Sequence, residues 1–457
     1  MKKKLIILVL MIWSSQAVLL SQETWVKIIG GGLYDGGKSI STTTDGGYVL
    51  TGHTESIDRD FRGMNKGGAE IFVIKLDSRG ELQWKKSFGG SKNEIGISVT
   101  TTPDGGFILS GATNSYDGNF KKDSVMFLNS DLIFIKFDSL GDVQWGVRGG
   151  GTSDDHGTSS TITPDGGYVV TGHTKSNNGD YKGMNKGEYD VLVMKLDSDG
   201  NIQWNETYGG SRNEESDCVI ATKDGGYVVS GFTESNDGDF EGMGSSRNVN
   251  TYEELMETFI IKLDKEGDVE WSKTFGTSSR DQSYSVTTTP DGGYVLTGMA
   301  SLKGMSASSR GEFNRRNKGG FDIFVLKLDS RGNVQWDRMF GGTHTDWAKS
   351  IINTTDGGLV ITGSTSSNDG DFEGMNMGGG DVFVIKLDQK GDLQWKKTYG
   401  GSGTDRGYSI ISTPDGGYAV TGETSSTDGI FKWVKNDGYN IFVMKLDANG
   451  NLQTKDN

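Results

Sequence analysis

Beyond residue 21 the apolar residues come in short β-branched and aromatic runs, such as Tyr48 to Gly52 and Ile71 to Leu76, bounded by Gly and Asp. No stretch keeps the apolar period of an amphipathic helix, so the pattern predicts strands and no regular helix. The runs recur. An Asp-Gly-Gly triplet stands at Asp45, Asp104, Asp165, Asp224, Asp291, Asp356 and Asp415, at intervals of 59, 61, 59, 67, 65 and 59 residues. Each unit also carries a Lys with an Asp two residues on (Lys75 and Asp77 in the first), then a Trp: Trp84, Trp145, Trp204, Trp271, Trp336 and Trp395. The seventh unit has Thr454 in that place, while Trp25 precedes Asp45 by the interval that separates Trp84 from Asp104. The chain thus starts inside one unit and stops inside another, and the two fragments make one whole.

Each unit reads as four strands: A (the Ser98 to Thr101 type), B (Tyr48 to Gly52), C (Ile71 to Leu76) and D, which carries Trp. All four prolines, Pro103, Pro164, Pro290 and Pro414, directly precede the Asp-Gly-Gly. Pro, Asp and Gly in that order suit a type I turn followed by a left-handed Gly, which closes the A–B hairpin. A linear solenoid needs polar caps, whereas a ring needs its split unit completed, because closure removes exposed sheet edges. The expectation is an all-β chain: residues 22–457 form a seven-bladed β-propeller of four-stranded antiparallel blades, closed by the N-terminal strand.

The segments DGGYVLTG and IFVIKLDSRGELQW resemble the propeller repeats of secreted and cell-surface bacterial proteins, over nearly all of residues 22–457. The stretch LDSRGELQW is also similar to the tryptophan-docking motif of quinoprotein propellers, with one residue fewer between Asp and Gly. That similarity implies Trp packing between neighbouring blades, not quinone binding.

Composition narrows the function. The 457 residues include 71 Gly but only 4 Pro, 1 Cys and 4 His, with a formal charge of −15. Collagen and disorder are excluded. One Cys permits no internal disulfide, few His leave little for zinc or triad chemistry, and the acidity disfavours nucleic acid or an anionic membrane. Residues 1–21 run from Lys2, Lys3 and Lys4 through the apolar Leu5 to Trp13 to small and polar residues, the order of a secretory signal peptide. The protein is expected to be exported, periplasmic or at the cell surface, monomeric and without a membrane span.

Ten residues after each Trp stands an acid: Asp35, Glu94, Asp155, Glu214, Asp281, Asp346 and Asp405. The column is either a lock on the blade crossover, accepting backbone N–H bonds, or a ring for a cation or polar ligand. Fourteen residues after Trp comes Ser, with Cys218 in the fourth blade, which reads as packing rather than a nucleophile. His53 and His173 share one slot; His156 and His344 are expected in separate D–A loops. Strand parity puts the long B–C and D–A loops on one face, the usual place for function.

The B–C loops hold an aromatic column, Phe61, Phe120, Tyr181, Phe240, Phe313, Phe372 and Phe431, expected to anchor them. They also hold Asp237, Asp239, Asp369 and Asp371 around Gly, which suit either calcium or Asx-turns. Trp347 and Trp433 fall outside the docking column and, beside Asp346 and Asp405, suit stacking on a sugar or peptide. Arg310, Arg315, Arg316 and Lys318 form a basic loop, and Thr251 with Glu254 fits a helical capping box. The leading expectation is a non-catalytic binding or scaffold propeller for a glycan or protein. The rivals are a glycoside hydrolase, which needs a carboxylate pair flanking a cleft, and a calcium-stabilised surface protein.

Overall fold

The computed structural model describes residues 23–120, 129–243, 256–277, 279–301, 318–434 and 438–452. The signal-peptide segment, Thr251, Glu254, Arg310, Phe313, Arg315, Arg316 and Thr454 lie outside them. The described strands form seven four-stranded antiparallel sheets in a ring, a seven-bladed β-propeller. Blade one is β2 (Asp35–Thr42), β3 (Tyr48–Thr54), β4 (Glu70–Leu76) and β5 (Leu82–Phe88). Blade seven is β26 (Asp405–Ser412), β27 (Tyr418–Thr424), β28 (Asn440–Leu446) and the N-terminal β1 (Trp25–Ile29). Among the described residues no helix is long and apolar enough to cross a membrane.

Register establishes how the ring closes. Trp84 on strand D stands opposite Lys75 on strand C, and Trp145 opposite Lys136. Trp25 stands opposite Lys445 in the same way, so the two chain ends build one standard blade. Each docking Trp then lies on the next blade's C–D turn: a Cβ on Gly80 would come within 2.8 Å of the Trp25 ring, and one on Gly450 within 2.7 Å of Trp395. These glycines also have positive φ (80° and 70°), so side chain and backbone both demand Gly there. Two apolar layers per blade, such as Val49, Val73 and Leu109 at the first interface, fill the space between neighbours.

The repeated Lys is a turn fastener. Lys75 Nζ lies 2.8 Å from Asp45 of the A–B turn, and the other six blades repeat the pair at 2.7 to 3.1 Å. The Asp in turn accepts the N–H of its second Gly, 3.0 Å for Asp45 and Gly47. These turns all lie on one face, and the B–C and D–A loops lie on the other.

Candidate site at the channel mouth

The acidic column is buried and committed. Asp155, at 0% exposure, accepts the N–H of Gly151 at 3.0 Å and the hydroxyl of Ser176 at 2.8 Å, and bonds Thr174. Glu94, Glu214, Asp281, Asp346 and Asp405 likewise accept the N–H four residues earlier, at 2.5 to 3.0 Å. This is a crossover lock, repeated in Asp35 with Gly31 at 2.7 Å. Asp346 and Asp405 are therefore not ligand carboxylates at the surface: both are at 0% exposure, with Ser367 and Ser426 hydroxyls on their second oxygens.

The loop aspartates tie one loop to another. Asp237 accepts the Ser211 N–H (2.9 Å) and Asp369 that of Thr343 (2.8 Å). Asp239 takes the Gly209 N–H and Lys186 Nζ, and Asp371 the Gly341 N–H and Lys318 Nζ. No group of three or more potential metal ligands forms among the described residues. The loop aromatics behave as anchors, with Phe61, Tyr181, Phe240, Phe372 and Phe431 fully buried.

The site lies where the repeat fails. Every inner strand has a β-bulge, and in each the unpaired residue is the thirteenth after Trp: Lys38, Ile97, Thr158, Asp217, Tyr284, Lys349 and Tyr408. A bulge re-aims a side chain out of the ladder, and here it sends seven side chains of five types into the channel enclosed by the inner strands. Two residues earlier, nearer the long-loop face, stand Gly36, Ile95, His156, Glu215, Gln282, Trp347 and Arg406, no two alike. Their partners on strand B (His53, Ala112, His173, Phe232, Met299, Ser364 and Glu423) vary nearly as much, with only His repeated. The frame is sevenfold, and the mouth it holds is not.

Three clusters occupy that mouth. An aromatic arc crosses blades five to seven: the Trp347 ring lies edge-on to Tyr284 (6.4 Å) and to Tyr408 (6.3 Å). Lys349 Nζ sits 3.1 Å from the Tyr284 centroid and 4.8 Å from that of Trp347, a cation–π arrangement. Burial pushes the Lys349 pKa down and that of Asp217 up, each opposed by the other's charge, and Gln282 Nε2 donates to Asp217 at 2.9 Å. Glu215 beside them is pushed up to about 7 by burial and by the charge of Asp217.

The second cluster surrounds Glu423. This fully buried carboxylate accepts from Tyr34 (2.6 Å), Arg406 (2.7 Å) and Tyr408 (2.9 Å), with Lys38 at 3.7 Å. Burial opposes its charge, but Lys38 and the three donors hold its pKa below the ordinary value. Lys38 also lies 3.9 Å over the Tyr408 ring, which links this cluster to the arc.

The third is a histidine pair. His156 belongs to β10 (Asp155–Ile162), not to the preceding loop, and stands opposite His173 of β11 (Tyr168–Thr174), with Nδ1 and Nε2 3.0 Å apart. Burial lowers both, His173 to about 3. His344 is exposed on its loop. Trp433 is 44% exposed with Lys432 over its ring, and makes no ring contact with the arc among the described residues. Cys218 packs with the fourth interface, its thiol pushed up by burial, with Sγ 3.8 Å from the Val286 carbonyl.

No known protein family matches the chain. A stretch of 211 residues is 26% identical to the regulatory protein FlaEY of Caulobacter vibrioides, covering 43% of this chain and 22% of that protein. The chain thus spans about a fifth of the length of that relative. Among solved structures, the WD40 domain of Neurospora crassa Pan2 is similar over 93% of this chain and 92% of its own (10% identity, TM-score 0.47). Sqt1 from Chaetomium thermophilum is similar over 93% of this chain and 100% of its own (11% identity, TM-score 0.46).

Proposed function

We propose that this is an exported, non-catalytic binding propeller that engages a glycan or a protein at the long-loop mouth of its channel. The observation that carries the reading is the contrast between a frame repeated seven times and three variable rows at the mouth, one of which differs in every blade. Trp347, in its arc with Tyr284 and Tyr408, offers the stacking surface; Gln282, Glu215 and Arg406 offer hydrogen bonds beside it. Aromatic surface ringed by polar groups is what sugar rings and peptide side chains both require. Export rests on the basic, apolar and small-residue order of residues 1–21.

The carboxylates at the mouth favour binding over hydrolysis. A glycoside hydrolase needs one protonated and one ionised carboxyl across a cleft. Glu215 and Asp217 are both pushed up by burial, whereas the ionised Glu423 is enclosed by its donors. The test is retention on glycan and protein arrays by the wild type and by Trp347→Ala. The reading expects retention that Trp347→Ala removes while the melting temperature stays within a few degrees. Equal retention by both proteins would reject the site.

A further inference from the structure

Across the ring from Trp347, the mouth opens into a cavity of about 390 Å³ in the sector of blade two. Its origin is legible in the rows. Ala112 stands where blades four and five have Phe232 and Met299. Ala69 and Ser130 precede their C strands where blades three and seven have Tyr189 and Tyr439. Those tyrosines fill the corresponding space by packing on His173 (5.2 Å) and Tyr34 (5.3 Å). Three truncated side chains, Ala69 of blade one and Ala112 and Ser130 of blade two, leave that space open between the two blades.

We infer that this cavity binds a neutral polyhydroxylated ligand of one or two sugar rings. The inference rests on the binding reading above and names its ligand class. The volume is at the small end of ordinary ligand pockets, ~300–1,000 Å³. His53 and His156 form opposite walls. His53 is held neutral by burial and by the charge of Lys38, its pKa lowered to about 4. A neutral imidazole donates or accepts at its free nitrogen, Nδ1 of His156 being engaged by His173; Asn93, Asn114 and the Ser130 hydroxyl carry both donors and acceptors, and the carboxylates Glu55 and Asp154 accept only. Mixed donors and acceptors at close quarters match vicinal hydroxyls. Ile95, Ala69 and Ala112 supply a small apolar patch for the C–H face of a ring. No Lys or Arg lines the cavity and three acids do, so phosphate or a carboxylate ligand would be repelled. No Trp, Tyr or Phe lines it either, so a nucleobase has nothing to stack on.

The experiment is calorimetric titration of the protein with glucose, galactose, N-acetylglucosamine and cellobiose, with sodium phosphate and calcium chloride as counter-probes. Ala112→Phe fills the cavity with a side chain that the same row already accepts at Phe232, so the blade should fold; Ala69→Tyr, which copies Tyr189 of blade three, is the second filling variant. The expected result is binding of at least one of the sugars, weakened about tenfold or more by each folded filling variant. Absence of sugar binding, or a heat with phosphate or calcium that the filling variants abolish, would overturn the inference. The two readings fail separately. Sugar affinity unchanged by filling but lost in Trp347→Ala rejects the cavity and keeps the mouth. Loss on filling with no effect of Trp347→Ala keeps the cavity and rejects the aromatic anchor.

Discussion

Asp322 and Asp346 turn a carboxyl oxygen each into the same space above the Cα of Gly341, where an added Cβ would overlap Oδ1 of Asp322 and lie 3.0 Å from Oδ2 of Asp346. Asp346 accepts from Gly342, Thr365 and Ser367, and Oδ2 of Asp322 accepts the Lys318 N–H. Oδ1 of Asp322 is buried without a partner among the described residues. Two anions here would repel; a proton on Asp322 removes the conflict and supplies a donor. Burial, then the charges of Asp346 and Asp371, push Asp322 up to about 7. The other blades place Glu70, Asp131, Asp190, Glu257 and Asp381 at the same register, and blade seven places Asn440, the neutral isostere of a protonated Asp.

Asp322→Asn should therefore stabilise the fold where the acid would ionise. Because the acid ionises near pH 4 when unfolded and near pH 7 when folded, the gain should grow by about 2 kcal/mol or more between pH 5 and pH 8. Urea denaturation at the two pH values checks it; an equal effect at both would contradict a protonated Asp322 in the fold.

The pH profile of stability should peak in mild acid. Asp322, Asp190 and Asp281, near 7, and Asp35, Asp155 and Asp381, near 6, all lie above their unfolded values. Their contribution is complete below the unfolded carboxylate pKa and fades as pH rises through 6 to 7. His53 and His173, lowered to about 4 and 3, have the opposite sign: stability is present above the unfolded pKa of about 6.5 and is lost as pH falls towards theirs. Raised acids outnumber lowered histidines, so the melting temperature should be higher at pH 5 to 6 than at pH 8, and should drop below about pH 4. Calorimetric melting across this range decides it.

Removing a crossover lock should be costly. Asp155→Ala strands the Gly151 N–H and the Thr174 and Ser176 hydroxyls inside the ring, for a loss of about 3 kcal/mol or more. Equilibrium unfolding measures it.

Cys218→Ser should be close to neutral. In five blades the Ser of this column accepts an N–H from the next inner strand, as Ser159 does from Val219 at 3.3 Å. Serine in blade four restores the column, so stability should change by less than about 1 kcal/mol. In the wild type, the thiol should react slowly with a disulfide reagent in the folded state.

The fold was legible because repetition multiplies a weak strand signal: Asp-Gly-Gly, Lys and Trp each recur at a fixed interval, and Trp25 completes the count. The crossover lock was legible as one of two readings for the same reason. The mouth was not. Repeated columns describe architecture, while the proposed binding surface occupies the columns where repetition stops, eleven and thirteen residues after Trp. A bulge decides which of those residues leave the ladder, and no residue type announces it: Lys38, Ile97 and Tyr408 all serve. His156 escaped pairing with His173 because β10 begins one residue before it, at Asp155, rather than after a longer loop. Comparing the seven units for their most variable column, rather than their most constant, would have pointed to Trp347, Arg406 and Glu215.

The proposed function requires ligand to bind at the long-loop mouth of the channel. Hydrogen–deuterium exchange of the protein, with and without a glycan or protein retained on the arrays, tests it most directly. Binding at the mouth predicts added protection at the starts of β18 (Asp281–Thr288), β22 (Asp346–Asn353) and β26, around Tyr284, Trp347 and Tyr408. Protection confined to the opposite face, at the Asp-Gly-Gly turns around Asp291, Asp356 and Asp415, would contradict it.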